Sequence, residues 1–488
     1  MTPEHFDVVI VGAGLSGIGA ACHLRRKLPG HSFVILEGRA ASGGTWDLFR
    51  YPGIRSDSDM FTLGYAFRPW TGAKAIADGA SILDYIRETA AECGVEQAIR
   101  YRHRVRRADW STTDARWTVE IEGGDTITCG FLYTCSGYYD YARGHAPTFA
   151  GAEDFGGRIV HPQFWPGDLD YAGKRVVVIG SGATAVTLVP ALAKQAAHVT
   201  MLQRSPSYVV SMPGDDVWAA RVRRVLPHGL ALRLLRWRSV AIQMLFYNLA
   251  RWRPEATRKH IAELIQTELG ADYDVATHFN PTYAPWDQRM CLVPDGDLFA
   301  AIGSGTASVV TGAIARLTPG GVALASGEEI AADIVVTATG LEVQLLGGIA
   351  LAVDGVPVDL ARTYAYKGMM FSGVPNLALA FGYTNASWTL KADLTADYVC
   401  RLLKMMRRRG FRRVTPRVPE DGIEPLPFVD FSSTYITRAI DRMPRQGSRR
   451  PWRLYQNYLA DLFTLRFGSL RDDVDFSEPE PSSPASVS

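Results

Sequence analysis

The chain has 488 residues, 47% of them hydrophobic and 21% charged, which is enough for two or three domains with cores of their own. Its net charge of +2 gives no global attraction for nucleic acid or a strongly acidic partner. The six cysteines (Cys22, Cys93, Cys129, Cys135, Cys291 and Cys400) form no C-x-x-C motif and no disulfide framework. We therefore expect a reducing, cytoplasmic location, and we predict no metal site.

The N-terminal segment "FDVVIVGAGLSG" predicts a buried strand that runs into a glycine turn and a helix. Gly12, Gly14 and Gly17 fit the pattern G-x-G-x-x-G, and Ser16 lies within the same turn. The first glycine makes the turn, the second admits a pyrophosphate and the third lets the helix pack on the strand. The next strand ends at Glu37, a carboxylate suited to the ribose hydroxyls of a nucleotide without a 2′-phosphate.

A glycine-rich loop from Gly43 to Asp59 follows this cradle. Its two leading glycines let the backbone approach a flat ring, and Trp46 offers an aromatic wall. A Tyr-Pro-Gly turn then presents Arg55, Ser56 and Asp57. The alternative is an ordinary surface loop with a buried tryptophan. The position of the loop directly after the cradle favours a flavin site.

The connector "FGGRIVHPQFWPGD", from Phe155 to Asp168, is unusually rich in glycine, proline and aromatic residues. Gly157 lets its backbone turn and Pro166 stiffens it. His161 is interpreted as a hinge residue or as a linker histidine packed beside Trp165. Both interpretations are favoured over direct proton transfer.

A second cradle follows in "KRVVVIGSGATAV", where Gly180, Gly182 and Ala185 fit G-x-G-x-x-A. Its ribose-reading strand ends not in an acid but in Gln203, Arg204 and Ser205. A guanidinium pairs with a 2′-phosphate that an acid would repel, so this cradle suits NADPH and the first suits FAD. A disulfide reductase is excluded, because no cysteine lies between Cys22 and Cys93.

We therefore expect an α/β fold with two Rossmann-like dinucleotide-binding domains and a helical insertion in the NADPH domain. The expected segments are 1–149 with 346–475 for FAD, 150–212 with 290–345 for NADPH, 213–289 for the insertion, and 476–488 for a disordered, proline-rich tail. The insertion contains amphipathic helices rich in arginine and tryptophan. They are interpreted as a lid over the site or as a contact with an anionic membrane surface.

Two of these segments carry a family resemblance. Phe155, Gly157, His161, Trp165 and Pro166 fit F-x-G-x-x-x-H-x-x-x-W-P, and "GGTWDLFRYPGIRSD" fits a second signature that ends at Asp57. Both signatures are similar to those of type I Baeyer–Villiger monooxygenases. Stretches such as "YAPWDQRMCLVPDGDLF" and "GYTNASWTLKADL" most resemble the mycobacterial branch that activates the thioamide drug ethionamide.

The resemblance implies that Arg289, in "PWDQRMC", is catalytic and stabilises the anionic oxygenating species and its adduct with a ketone. Asp57 would hold this arginine. Alternatively, Arg289 merely pairs with the nearby Asp287. Many relatives carry a lysine in place of Gln288 as a second contact to the NADPH phosphate, so NADPH preference here would rest mostly on Arg204.

The nucleotide-binding motifs and the family resemblance together give the cofactor-binding residues. FAD is assigned to Gly12, Gly14, Ser16, Gly17, Glu37, Gly44, Thr45, Trp46, Asp57 and Val105. NADP(H) is assigned to Arg55, Ser56, Gly180, Ser181, Gly182, Ala183, Thr184, Ala185, Arg204 and Ser205. Asn385, Ser387 and Thr389 are expected to cap a helix that faces the flavin, and Trp388 either lines the substrate pocket or belongs to the core.

The expected activity is an FAD- and NADPH-dependent oxygenation that converts ketones into esters or lactones, with O2 as co-substrate, and also oxygenates sulfides or thioamides. The alternatives are a monooxygenase specialised for sulfur or nitrogen, and a flavoprotein that only oxidises NADPH. The small-molecule substrate itself is not specified by the sequence.

Overall fold

The computed structural model describes residues 3–477. In chain order its strands are β1 (Glu4–Val11), β2 (Phe33–Glu37), β3 (Ile99–Tyr101), β4 (Val105–Ser111), β5 (Arg116–Ile121), β6 (Thr126–Thr134), β7 (Tyr139–Gly144), β8 (Arg158–Val160), β9 (Arg175–Ile179), β10 (His198–Gln203), β11 (Val209–Met212), β12 (Cys291–Pro294), β13 (Ala307–Thr311), β14 (Ile314–Thr318), β15 (Gly321–Leu324), β16 (Glu329–Ala331), β17 (Ile334–Thr337), β18 (Leu341–Val343), β19 (Ala350–Val353), β20 (Val356–Pro357), β21 (Ala365–Tyr366), β22 (Met370–Phe371), β23 (Leu377–Leu379), β24 (Arg413–Pro416), β25 (Pro425–Pro427), β26 (Arg445–Gly447) and β27 (Val474–Ser477).

The α-helices are α1 (Leu15–Lys27), α2 (Thr45–Leu48), α3 (Met60–Leu63), α4 (Gly79–Glu92), α5 (Ala183–Leu192), α6 (Val217–Val225), α7 (His228–Trp252), α8 (Pro254–Leu269), α9 (Val275–His278), α10 (Asp297–Gly303), α11 (Trp388–Arg409), α12 (Thr434–Thr437) and α13 (Tyr458–Arg466). Within residues 3–477 none of them has the length and apolar character needed to cross a bilayer.

The larger sheet contains the first nucleotide cradle. Its strand order is β20-β19-β4-β5-β6-β1-β2-β3, and β23 pairs with β6 outside this path. β1 lies between β2 and β6 and runs parallel to both, with Val11 opposite Leu36 and Thr134. α1 follows β1 after a short turn and buries its apolar face in a core shared with α11. The amino end of α1 therefore lies at the carboxyl edge of the sheet, where nucleotides bind in such folds.

The smaller sheet contains the second cradle and has the order β13-β10-β9-β17-β8, with all strands parallel. α5 follows its central strand β9, as α1 follows β1. The predicted α/β architecture of two doubly wound units is thus confirmed. All strands of the larger sheet fall within 1–149 and 346–475, and all strands of the smaller sheet fall within 150–212 and 290–345. The division into domains at these boundaries stays a prediction.

The helical insertion joins the two units. α6 to α9 lie between β11 and β12, which pair with each other in parallel. On one side, Arg236 of α7 donates hydrogen bonds to the backbone oxygens of Phe61 and Gly64 in the first unit. On the other side, Ile261 and Ile265 of α8 are buried in the core of the second unit. The first unit therefore binds α7, and the second unit packs against α8.

The connector from Phe155 to Asp168 leads into the second unit and is partly a strand, because β8 pairs with β17 at the sheet edge. A Cβ atom on Gly157 would lie 2.1 Å from the backbone oxygen of Asp333, so only glycine fits. His161 packs against Phe164 with ring centroids 6.2 Å apart, whereas Trp165 packs against Tyr171 at 6.5 Å. Among the described residues the ring of His161 thus contacts Phe164, and no ring contact with Trp165 is formed.

His161 is held by local contacts. Its Nδ1 accepts a hydrogen bond from the backbone N–H of Gln163 at 3.2 Å. A Cβ atom on Gly144 would lie 2.0 Å from the imidazole ring, so the ring packs directly on the backbone of β7. Burial lowers the pKa of His161, which keeps the ring neutral near pH 7. These contacts suit a packed connector residue.

The expected tail begins at 476, but Phe476 and Ser477 belong to β27 and pair with Val414 and Arg413 of β24. The strand therefore extends two residues into the segment that we expected to be disordered. Residues 478–488 lie outside the described residues.

Replacing Gly17 by alanine tests the first cradle. The added Cβ atom would lie 1.8 Å from the backbone oxygen of Gly12, so α1 and the turn must separate. We expect a loss of about 1–3 kcal/mol in the free energy of unfolding, together with loss of co-purified flavin. Urea unfolding and the ratio of flavin to protein absorbance measure the two effects. Gly229→Ala is the matched control, because its Cβ atom meets nothing within 4 Å. Equal flavin content in the two variants would contradict the prediction that Gly17 belongs to a flavin-binding cradle.

Candidate functional site

The first cradle has the geometry that its glycines predict. Gly12 has a φ of +101°, and a Cβ atom there would lie 2.7 Å from the backbone oxygen of Cys135. The Glu37 carboxylate accepts hydrogen bonds from the backbone N–H groups of Ala13, at 2.7 Å, and Arg39, at 2.9 Å. The carboxylate therefore fixes the cradle turn as well as lining the space beside it.

Two connected cavities run from this cradle towards the second unit. The outer cavity has about 1030 Å³ of empty space and is lined in part by Gly12, Glu37, Val105 and Ser136. The inner cavity has about 1420 Å³, part of it open to solvent. Gly14, Gly44, Cys135, Tyr139 and Tyr141 line both cavities. Together they form one elongated cleft of the size that a dinucleotide needs.

Most predicted FAD residues lie on this cleft. Gly14, Ser16, Gly44, Thr45, Trp46 and Asp57 line the inner cavity, and Gly12, Glu37 and Val105 line the outer one. Gly17 lies beneath the turn and lines neither cavity. Its place is structural, since the backbone of Gly12 leaves no room for a side chain.

The walls of the inner cavity include aromatic residues that we did not predict. Tyr138 stacks on Trp388 with centroids 5.3 Å apart, and the Tyr139 hydroxyl lies 2.7 Å from Thr45 Oγ1. Burial raises the pKa values of Tyr138, Tyr139 and Tyr141, so their hydroxyls stay neutral hydrogen-bond donors. These tyrosines follow closely after β6, and no motif in the sequence marked them.

Trp388 was predicted to line the pocket or to belong to the core, and it lines the inner cavity. Its Nε1 donates a hydrogen bond of 2.8 Å to Ser16 Oγ. Trp388 thus ties the first residue of α11 to the first turn of α1.

The expected side-chain caps of α11 are wrong. Ser387 is at the N-cap position, but its hydroxyl lies 2.6 Å from Thr62 Oγ1 and caps nothing. Thr389 donates to the backbone oxygen of Leu63 at 2.5 Å, and Asn385 donates to that of Gln456 at 2.9 Å. These side chains fasten the helix start to neighbouring segments, which leaves its backbone N–H groups without side-chain caps.

Arg289 and Asp57 form a two-point ion pair at the inner cavity. Arg289 Nη2 lies 2.8 Å from Asp57 Oδ1, and Arg289 Nε lies 2.6 Å from Asp57 Oδ2. Both side chains are about one third exposed, at 35% and 33%. Burial opposes the charge of Arg289, but the Asp57 carboxylate, together with Tyr138 and Tyr435, raises the arginine pKa above its usual value. The cleft therefore holds a permanent cation, and within residues 3–477 Asp57 is its only side-chain partner.

The alternative pairing of Arg289 with Asp287 is not formed. Asp287 pairs with Arg251 of α7 at 2.6 Å and accepts a hydrogen bond from the backbone of Ala284. The Asp287 carboxylate already has partners in the insertion, so it does not compete with Asp57 for Arg289.

The second cradle repeats the first. Gly180 has a φ of +136°, and its Cβ atom would lie 2.4 Å from the backbone oxygen of Ala338. Ala185 is fully buried where the first cradle has glycine. A Cβ atom on Gly182 would meet nothing within 4 Å, which leaves space above the turn. Ser181 is held at the mouth by a 3.0 Å hydrogen bond to the backbone oxygen of Ser205.

Arg204, the residue predicted to bind the 2′-phosphate, is accessible. Arg204 and Ser205 are exposed after β10, and Arg204 makes no ion pair with any residue in the described part of the chain. Gln203 is instead buried and donates hydrogen bonds to the His278 backbone and to Thr311. Ala183 and Thr184, at the start of α5, line the inner cavity and connect the second cradle with it.

Arg55 and Ser56 line the inner cavity, but each already has protein partners. Arg55 makes a two-point ion pair with Asp297 at the start of α10. The Ser56 hydroxyl donates a 2.7 Å hydrogen bond to the backbone oxygen of Ser58. Their assignment to NADP(H) stays a prediction, and Arg55 would have to share its guanidinium with Asp297.

Comparisons with known proteins agree with this geometry. The chain matches the family Flavin-binding monooxygenase-like over residues 75–259 and an NAD(P)-binding Rossmann-like domain over residues 10–74. It is 56% identical to the FAD-containing monooxygenase EthA of Mycobacterium tuberculosis, over 96% of this chain and 97% of that protein. Identity to EthA of Mycolicibacterium smegmatis is 55%, over 96% of each.

Among solved structures, an oxidized steroid monooxygenase bound to NADP matches with a TM-score of 0.78 at 23% identity, over 97% of this chain and 100% of that one. This likeness concerns the fold. The identity to EthA over nearly the whole length decides the family, as the two signatures predicted. The chain belongs to the family of FAD-containing monooxygenases that includes EthA.

Proposed function

We propose that this protein is an FAD- and NADPH-dependent monooxygenase that inserts one oxygen atom of O2 next to a ketone carbonyl, giving esters or lactones. We propose further that it oxygenates the sulfur of sulfides and thioamides. The observation that carries the proposal is the two-point Arg289–Asp57 ion pair in a cleft that begins at the first cradle and reaches α5 of the second.

The residues of the cleft fit FAD. The cradle at Gly12 has no room for a side chain, and the amino end of α1 is directed at the space beside it. Glu37 lies at the outer end of the cleft, and Trp46, Tyr138 and Trp388 lie along the inner end. When bound, FAD takes a hydride from NADPH and activates O2. The protein supplies binding, orientation and charge.

Arg289 supplies the charge. Its guanidinium cannot lose its proton at accessible pH, and in a cleft of low polarity a fixed cation stabilises negative charge that develops on oxygen. The two contacts of Asp57 hold the guanidinium plane, which keeps its remaining N–H groups aimed into the cleft. The same positive charge polarises a ketone carbonyl for attack.

The second cradle supports NADPH over NADH. Arg204 is exposed at the end of β10 without an acidic partner in the described chain, so it can pair with a 2′-phosphate. Gln288 is neutral and adds no second cation. The preference for NADPH therefore rests on one arginine.

Arg289→Ala is predicted to separate the two halves of the reaction. Flavin reduction by NADPH continues, whereas the yield of ester from a ketone falls at least about 100-fold because the developing anion loses its cation. Anaerobic rapid mixing measures reduction, and gas chromatography together with a peroxide assay measures the fate of oxygen. Arg417→Ala is the control, since it also breaks an arginine–aspartate pair but lines neither cavity of the cleft.

Each outcome distinguishes the candidates. Normal ester formation by Arg289→Ala would overturn the catalytic role of this residue. Wild-type protein that oxygenates a thioether but no ketone would identify a sulfur specialist. Stoichiometric peroxide without any oxygenated product would identify a flavoprotein that only oxidises NADPH.

We also infer that the insertion contacts an anionic membrane surface. Leu230, Leu234, Trp237, Ala241, Leu245 and Trp252 are all exposed and recur on one face of α7 over about 33 Å. On the neighbouring α13, Leu459 and Phe463 are exposed as well, and Phe467 follows at its end. Trp237 contacts Tyr458 with centroids 6.0 Å apart, so the two helices form one patch. We call it the α7 face.

The charge around the α7 face favours anionic lipid. Residues 217–252 contain seven arginines and no acidic residue. Arg221, Arg224 and Arg233 are exposed and make no ion pair within residues 3–477. A symmetric dimer through this face would bring these like charges together, whereas each is worth about 1 kcal/mol at an anionic bilayer.

Sedimentation with vesicles tests the membrane contact. We expect the protein to bind phosphatidylglycerol vesicles and to be released at high salt, with little binding to phosphatidylcholine. Leu245→Ser combined with Trp252→Ser should weaken binding at least about tenfold, because both side chains are largely exposed, at 69% and 72%. Lys259→Ala, on α8, is the control. Binding that is equal for both lipids, or a dimer in sedimentation velocity that the double variant disrupts, would contradict the proposal.

A further inference from the structure

Tyr138 lines the inner cavity shortly after the chain leaves the larger sheet at the end of β6. Its ring is held on several sides. It stacks on Trp388 with centroids 5.3 Å apart and meets Tyr139 and Phe381 edge-on at 5.3 Å and 6.2 Å. Its backbone oxygen accepts a 2.9 Å hydrogen bond from the N–H of Gln344. Because the phenol oxygen lies in the plane of this fixed ring, the hydroxyl has a defined position.

The hydroxyl of Tyr138 is not used by the protein. It makes no hydrogen bond with any residue between 3 and 477, and it is not one of the polar atoms sealed in the interior without a partner. The neighbouring Tyr139 differs, since its hydroxyl lies 2.7 Å from Thr45 Oγ1. Tyr138 is only half-buried and lines the cavity, so its hydroxyl is free to bind a ligand there.

Arg289 lines the same cavity and lies close to Tyr138. Burial raises the pKa of Tyr138, and the charge of Arg289 opposes this rise. In turn, burial opposes the charge of Arg289, whereas Asp57 and then Tyr138 raise the arginine pKa. The phenol keeps its proton at neutral pH. The cavity therefore presents a permanent cation and a neutral hydrogen-bond donor to the same space.

We propose that Tyr138 is a second catalytic residue, which donates a hydrogen bond to the carbonyl oxygen of a ketone substrate beside Arg289. The inference rests on the proposed ketone oxygenation. When the carbonyl carbon is attacked, a new C–O bond forms and the π electron pair of the carbonyl moves onto its own oxygen. Arg289 and Tyr138 stabilise the negative charge on this oxygen, and Tyr138 keeps its proton.

The electron pair returns when the neighbouring carbon migrates to the inserted oxygen atom, and the ester carbonyl then forms. Overall, ketone, O2, NADPH and one proton give ester, water and NADP⁺. Tyr138 therefore acts through a hydrogen bond alone and needs no change of protonation state during the reaction.

This role is specific to ketones. A sulfide has no carbonyl oxygen, and its sulfur lone pair attacks the oxygen atom that is transferred, so no negative charge develops on the substrate. The hydroxyl of Tyr138 therefore favours ketone over sulfide oxygenation.

Tyr138→Phe tests the role, because it removes the hydroxyl and keeps the ring that stacks on Trp388. We would measure kcat and KM for a ketone and for a thioether with the same substituents. We expect the ratio of their kcat/KM values to fall at least about tenfold, through kcat for the ketone, because the charge on oxygen is largest in the transition state. Tyr455→Phe is the matched control. It also removes a phenol hydroxyl, but its ring is 44% exposed and lines neither cavity of the cleft, so the ratio should not change.

Infrared difference spectroscopy tests the contact without turnover. A ketone with an isotope-labelled carbonyl is added to the oxidised, flavin-loaded protein in the absence of NADPH. A hydrogen bond to the carbonyl oxygen weakens the C=O bond and lowers its stretching frequency. We expect the band of the bound ketone at a higher frequency in Tyr138→Phe than in the wild type or in Tyr455→Phe. The same frequency in all three proteins would show that the hydroxyl does not contact the carbonyl.

The results separate this inference from the proposed function. An unchanged ratio in Tyr138→Phe would overturn the catalytic role. An equal fall for ketone and thioether, together with a lower flavin content, would show that the hydroxyl binds the cofactor and would overturn it as well. If the wild type oxygenates no ketone, the proposed function has failed instead, and the infrared band still tests the contact. Circular dichroism of each variant shows whether the fold is retained.

Discussion

The ion pair between Arg289 and Asp57 is the constraint on which the rest of the structure depends. The two residues are 232 positions apart, one in the loop after the first cradle and the other at the end of the helical insertion. They meet only if the insertion returns the chain to the first unit. The competing carboxylate of Asp287 must be occupied as well, and Arg251 of α7 occupies it. The position of Arg289, the proposed catalytic cation, is thus set by the fold of the insertion.

The insertion does this because it is fastened on both sides. Arg236 of α7 binds backbone oxygens of the first unit, while Ile261 and Ile265 of α8 are part of the second core. A rotation of one unit against the other must therefore bend the chain near the α7–α8 junction at Arg253. The chain also crosses between the units at the connector with His161, whose ring packs on β7, and again after β17, where β18 pairs with β7. The two units are therefore joined at the insertion and at two further crossings.

The features that the sequence predicted were those with short-range causes. A glycine that must adopt a positive φ is visible in a few residues, so both cradles were found. An arginine in place of an acid at a strand end is just as local, and it led to the prediction for Arg204. The tyrosines at 138, 139 and 141 were missed because their role arises from burial beside Thr45 and Trp388, which are distant in sequence. The caps expected at Ser387 and Thr389 failed for the same reason: their hydroxyls meet Thr62 and Leu63.

The two faces of α7 explain why its sequence looked ambiguous. A lid and a membrane contact both require an amphipathic helix with arginine and tryptophan, and composition alone does not separate them. In the structure the helix is apolar on two sides: Val240 and Met244 pack inward against Tyr383 and Leu390, whereas Leu245 and Trp252 are exposed. A helix that only covered a site in water would expose polar groups on its outer face. The apolar outer face therefore supports the proposed membrane contact. Arg221, Arg224 and Arg233, which make no ion pair within residues 3–477, favour an anionic surface.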